Sequence, residues 1–337
     1  MKELIFLTII LSHFLMATAQ NKLDLNRINS ELKASIEGTA QSLELDSSLF
    51  LNNPAAIQQE RVEFIRNNPI QKPVHIQVRD IFIESTIDKY NIRLHCYQPK
   101  DYSAERVILY FHGGGYIFGQ PEQVDGQMFQ LATAAKATII SVDYRLSPQY
   151  PFPVPVTDGF DALQWIIRDG KKILNIHPDA ITVYGASAGG HLAAAVTQMA
   201  VDNNIKNIKH QFLLYPVIHN KLNTHSMEEF TDAPLWNKKY AEIAWAHFLG
   251  KDNVKKSIRY ADLTHFDKFT YLPRTTIVAC ELDPLRDEGI DYAQQLYQAG
   301  VTTELWVVPG ALHVFDLFPS ALTDKFTRFL TDRILMD

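Results

Sequence analysis

A chain of 337 residues, 46% hydrophobic and 21% charged, can bury a large core and fits one large domain with insertions or two domains. The net charge of -6 and the lack of any basic run argue against nucleic acid as a partner, since a mildly acidic surface chiefly serves solubility. Two cysteines, Cys96 and Cys280, are too few for a disulfide framework; both fall in apolar strand-like runs, which favours buried free thiols over one disulfide formed in an oxidising compartment.

The chain opens with MKELIFLTIILSHFLMATAQ. Lys2 gives a short positive start, an apolar stretch follows, and Ala17-Thr18-Ala19 supplies small residues before a cut site. The spacing predicts a signal peptide over residues 1–19, with Glu3 out of pattern, and the stretch is shorter than the roughly 20 residues of a stable membrane span. Residues 20–68 then carry polar, helix-like patterns (ELKASIEGTAQSL, PAAIQQERVEFIRN) that must lie over something larger.

From residue 69 onward a different rhythm begins. VHIQVRDIFIE and NIRLHCYQP predict two antiparallel strands. ERVILYFH, ATIISVDYR, ITVYG and HQFLLYPVI are buried strands, with TDGFDALQWIIRD an amphipathic helix among them. Such alternation predicts an α/β fold with a mostly parallel central sheet and helices on both faces. The pattern breaks over about residues 219–270, where PLWNKKYAEIAWAHFLG is helix-like and an insertion packed over the sheet's edge is expected. TTIVACELD, DEGIDYAQQLYQAG, TELWVVPG and SALTDKFTRFLTDRIL then predict strand, helix, strand and terminal helix.

Ligands bind at the carboxyl ends of strands in open α/β sheets, so the polar groups just past each strand matter most. ERVILYF ends at His112-Gly113-Gly114-Gly115, ITVY at GASAG around Ser187, TTIVACEL at Asp283, and the last strand shortly before His313. A glycine loop, a serine, a carboxylate and an imidazole are what nucleophilic acyl transfer needs, and their order is Ser, Asp, His. The amides of the Gly113–Gly115 loop and of Ala188 are the expected donors to a developing oxyanion. Duller readings stand beside these. Asp283 could cap the next helix, with Asp287 and Glu288 as rivals; His313 is one of 12 histidines, of which His95 and His177 read as surface or turn residues and His112 as a group that orients the glycine loop.

HGGGY (112–116), DYRLSPQYPFP (143–153), GASAGG (185–190), DPLRDEG (283–289) and HVF (313–315) resemble, in order, the hormone-sensitive-lipase-like esterases of the α/β-hydrolase superfamily. The resemblance implies an α/β-hydrolase catalytic domain over residues 69–337 with a helical cap built from residues 20–68 and 219–270. It also implies Ser187 as nucleophile, Asp283 as acid and His313 as base. Small esters with short to medium acyl chains would be hydrolysed without a cofactor or metal. One departure matters: similar enzymes usually carry an acidic residue before the serine, where this chain has Ala186. The leader, absent from many intracellular relatives, implies a secreted or periplasmic protein. A lipase or amidase on the same triad and a non-catalytic binding protein are the rival functions, since fold alone does not fix activity. The sequence fits a monomer or a homodimer equally. Leu235, Trp236, Tyr240, Trp245 and Phe248 are expected either to line an acyl pocket or to pack a helix.

Overall fold

The computed structural model describes residues 23–37, 46–100, 106–250, 253 and 256–336. The predicted signal peptide, residues 1–19, lies outside them. Eight strands form one sheet: β1 (Ile76–Glu84), β2 (Asn91–Pro99), β3 (Arg106–Phe111), β4 (Ala137–Asp143), β5 (Ile181–Ala186), β6 (Ile208–Leu214), β7 (Arg274–Leu282) and β8 (Thr303–Leu312). Their spatial order is β1-β2-β4-β3-β5-β6-β7-β8. The β1–β2 and β2–β4 pairs are antiparallel and the other five are parallel. β5 is buried along its whole length and β3 at every residue after Arg106, the pattern of central strands covered on both faces.

Helices α1 (Ser30–Glu37), α2 (Ser47–Asn52) and α3 (Pro54–Asn67) precede the sheet. Asp46 and Asn53 cap α2 and α3 with side-chain oxygens that accept the Ser48 and Ala56 amides, and Pro54 fills the first position of α3, where a missing N–H costs nothing. α4 (Asp125–Ala135), α5 (Val154–Leu174), α6 (Ala188–Asp202), α9 (Arg286–Gln298) and α10 (Ala321–Leu335) accompany the parallel strands, while α7 (His225–Glu229) and α8 (Lys238–Leu249) lie within residues 219–270. Helix α4 goes beyond the sequence reading, although buried Met128, Leu131, Ala132 and Ala135 fall at helical spacing. Cys96 and Cys280 are free and buried, and burial pushes the Cys96 thiol up to about 12. His95 corrects the surface-or-turn expectation: it is buried in β2, and its Nδ1 lies 2.5 Å from Asp80 Oδ1 on β1.

Arg145 explains much of the 143–153 segment. Its guanidinium donates to Asp158 on α5 (2.6 Å), to Ser85 Oγ (2.9 Å) and to Asp88 (2.7 Å), so one side chain ties the β1–β2 hairpin to the parallel half. The rings of Tyr90 and Tyr150 cover it at 4.7 and 5.1 Å. Both partners of the Arg145–Asp158 pair are nearly inaccessible, so removing one leaves an uncompensated buried charge. Arg145→Met is expected to lower unfolding free energy by about 3–5 kcal/mol in urea titration.

Candidate active site

The chain passes from β3 to β4 on one side and later to β5 on the other, so the loops after β3 and β5 diverge at a switch point of the sheet. Both loops open onto one cavity of about 210 Å³. Ser187 forms the turn between β5 and α6 at φ 57° and ψ −121°, a conformation that L-residues rarely adopt. The surroundings hold it there: its amide donates to Leu214 O (2.9 Å), and its carbonyl accepts the amides of His191 (3.1 Å) and Val217 (3.2 Å). The turn is also too tight for side chains nearby, since a Cβ on Gly189 would lie 2.1 Å from Phe111 O.

Asp283 follows β7 directly and His313 follows β8 directly, so two parallel neighbours deliver them. His313 Nε2 lies 2.9 Å from Ser187 Oγ, and His313 Nδ1 lies 2.6 Å from Asp283 Oδ2. Asp283 is wholly buried, and its other oxygen accepts the Leu285 amide at 2.9 Å. An ionised carboxylate only accepts, so it selects the imidazole tautomer with the proton on Nδ1 and leaves the Nε2 lone pair facing the serine hydroxyl. That constellation can take a proton from Ser187 and store it as an imidazolium beside a carboxylate.

The other expected residues sort as follows. Gly113, Gly114 and Gly115 line the cavity beside Ser187. Ala188 is fully buried at the first position of α6, where an amide has no partner within the helix and adds to the positive end of the helix dipole. Gly114 (φ +132°) and Gly115 (φ +57°) occupy backbone conformations suited to glycine, and a Cβ on Gly115 would lie 2.8 Å from Trp236 Cη2. His112 stacks on Tyr144 with centroids 4.3 Å apart, and its Nδ1 lies 2.9 Å from Gly113 O. Burial pushes its pKa down, so it stays neutral and anchors the loop. Asp287 accepts the Ser226 amide instead (2.7 Å), away from His313.

Glu288, the other rival, has a different task. Its Oε2 accepts the amides of Ile218 (2.7 Å) and His219 (3.1 Å), fastening the start of the 219–270 segment to α9. Burial raises its carboxyl to about 8. The folded state therefore binds a proton that the unfolded chain releases near pH 4–5, so this group's stabilisation is full below that range and is lost as pH rises through about 8. Glu288→Gln is expected to flatten the decline in stability between pH 5 and 9, read from urea midpoints at the two values.

Of the five aromatic and apolar residues expected to line or to pack, Leu235 and Trp236 line the cavity. The Trp236 ring tilts over His313 at 5.8 Å and meets Phe50 of α2 edge-on at 6.3 Å. Tyr240 packs on Phe50 at 5.7 Å, while Trp245 and Phe248 are buried against Tyr116. Arg61 and Phe64 of α3 form part of the wall as well, so segments far apart in sequence cover the carboxyl edge of the sheet together. Gln127, Tyr215 and Asp316 complete one side of the cavity, and sequence spacing gave no signal for them.

A family model described as the alpha/beta hydrolase fold matches residues 108–317. The chain is 32% identical over 240 residues to an arylesterase of Saccharolobus solfataricus, covering 71% of this chain and 77% of that protein. It is 34% identical over 215 residues to carboxylesterase NlhH of Mycobacterium tuberculosis, covering 63% of this chain and 67% of the other. Among solved structures, a bacterial heroin esterase superposes with a TM-score of 0.85 at 29% identity, over 93% of this chain and 98% of that one.

Proposed function

The chain belongs to the hormone-sensitive-lipase-like esterases of the α/β-hydrolase family, and from that premise we propose that it hydrolyses short to medium acyl esters through an acyl-enzyme on Ser187. It is a carboxylester hydrolase. The observation that best supports the detailed reading is the chain of contacts Ser187 Oγ, His313 Nε2, His313 Nδ1, Asp283 Oδ2 at 2.9 and 2.6 Å, opening on a largely apolar cavity.

In the proposed mechanism the ester carbonyl enters between the glycine loop and Ser187. His313 takes the hydroxyl proton as Oγ attacks, and Asp283 stabilises the imidazolium. Amides of Gly113, Gly114, Gly115 and Ala188 receive the oxyanion, a contribution of about 3 kcal/mol per donor in a comparable hydrolase. The imidazolium then protonates the leaving alcohol, and a water, deprotonated by the same imidazole, cleaves the acyl-enzyme. Residues 20–68 and 219–270 act as a cap that shapes the pocket through Arg61, Phe64, Leu235 and Trp236. The leader over residues 1–19 would direct the protein to a secreted or periplasmic location, which sequencing of the mature N-terminus after cell fractionation checks.

A p-nitrophenyl ester series tests the substrate reading, with the highest kcat/KM expected for short to medium chains. A rate that rises only on emulsified long-chain esters would turn the reading to a lipase, and an aryl amide cleaved faster than its matching ester would turn it to an amidase. Failure of a fluorophosphonate to label Ser187, with no turnover, would leave a binding protein.

A further inference from the structure

We propose that Asp316 is a positioning residue for this reaction: it holds the Tyr215 ring against His313 and sets a second buried negative charge near the imidazolium that forms when His313 takes the Ser187 proton. The inference rests on His313 acting as the base.

The geometry begins two residues after His313, where a single 3₁₀ turn, Phe315–Leu317, returns the chain toward the cavity. Val314 precedes it in the left-handed region (φ 58°), which turns the backbone sharply enough for Asp316 to point back beside the site. Asp316 is 5% exposed and lines the same cavity as Ser187 and His313. Each oxygen has its own donor: Tyr215 Oη donates to Oδ1 at 2.6 Å and Gln127 Nε2 to Oδ2 at 3.0 Å. Gln127 Nε2 also donates to Asp316 O at 2.9 Å, which fixes the turn. The Tyr215 ring, held at its hydroxyl end by Asp316, lies 4.6 Å from the His313 ring, centroid to centroid.

A buried carboxylate is costly to desolvate, so its retention calls for a reason beyond packing. Burial raises the Asp316 carboxyl above its ordinary range, while Tyr215, Gln127 and nearby His313 oppose that rise. The other titratable groups facing it are Tyr110 on β3, Tyr184 on β5, Tyr215 after β6 and Cys280 on β7, all pushed upward by burial and so neutral near pH 7. Tyr215 thereby remains a donor. Around His313 the carboxylates are then Asp283, in contact with Nδ1, and Asp316 across the Tyr215 ring. Ala186, on the cavity wall beside Ser187, has no charge, whereas Asp316 brings a carboxylate to that cavity from just past the end of β8.

Removing this charge makes the imidazolium less favourable both in the free enzyme and as the proton is transferred. Asp316→Asn is therefore expected to lower kcat about tenfold and to move the acid limb of the kcat/KM profile about one pH unit lower, with KM little changed. Asp316→Ser, a smaller neutral variant, should show the same displacement and is read in its place if the asparagine variant fails to fold. Asp316→Glu, which keeps the charge, should return the limb toward its wild-type position. A limb that stays put in the neutral variants, or a loss carried by KM alone, overturns the inference. His313→Ala measured in parallel separates the levels: an active His313→Ala removes the underlying assignment of the base, whereas an inactive one beside an unmoved limb removes only the role of Asp316.

Discussion

Replacing Ser187 with alanine is expected to lower ester turnover by roughly 10⁶-fold, the loss found when a serine hydrolase gives up its nucleophile. The hydroxyl is the atom that His313 Nε2 meets at 2.9 Å, so the variant loses the group that the imidazole would deprotonate. Other ways of holding a substrate, through the glycine loop and the apolar walls, survive the change and should leave a small residual rate over water. Alanine keeps the same backbone demand at φ 57°, so the variant should melt close to the wild type. Turnover of p-nitrophenyl acetate, thermal melting and fluorophosphonate labelling check the three statements. Equal turnover by the two proteins would overturn the nucleophile assignment.

Asp283→Asn should cost about 10⁴-fold in kcat with little change in KM. The reason lies in how the side chain is tethered. One oxygen of Asp283 accepts the Leu285 amide at 2.9 Å, and an asparagine would keep its carbonyl oxygen there. Its NH₂ would then face His313 Nδ1, which must accept rather than donate, so the proton moves to Nε2 and blocks removal of the serine proton. Asp287→Asn, by contrast, should retain activity, since Asp287 accepts the Ser226 amide and pairs with Arg286. Comparison of the two variants at saturating ester separates the triad acid from its neighbour, and equal losses in both would overturn the distinction.

Much of the sheet is legible in the sequence because its central strands are continuous apolar runs and each ends on a chemically distinctive residue. RVILYF running into His112-Gly113-Gly114-Gly115 and ITVYGA into Ser187 carry both signals together. The side walls are less legible for a physical reason. Gln127 sits on α4 as a polar residue among positions whose apolar spacing signals packing rather than chemistry, Tyr215 on an irregular loop, and Asp316 in a single turn; they meet through tertiary packing across the ends of different strands. The apolar residues of 235–248 divide between lining and packing because Leu235 and Trp236 precede α8 and face the cavity, whereas Trp245 and Phe248 pack on Tyr116 from the helix itself, a division that periodicity cannot resolve. His95 misleads in the same way: a polar residue in a strand reads as exposed until its partner, Asp80, is seen on the adjoining strand.

The contact between Gly115 and Trp236 gives this site a direction in sequence space. A Cβ at position 115 would sit 2.8 Å from the indole, and the backbone there has φ +57°, which asparagine tolerates better than other side chains. Asparagine at 115 therefore forces the Trp236 ring to shift, a demand that disappears once that ring is trimmed, whereas trimming Trp236 needs no prior change at 115. The order of the two substitutions matters: variants carrying both are reached more readily through position 236 first than through position 115.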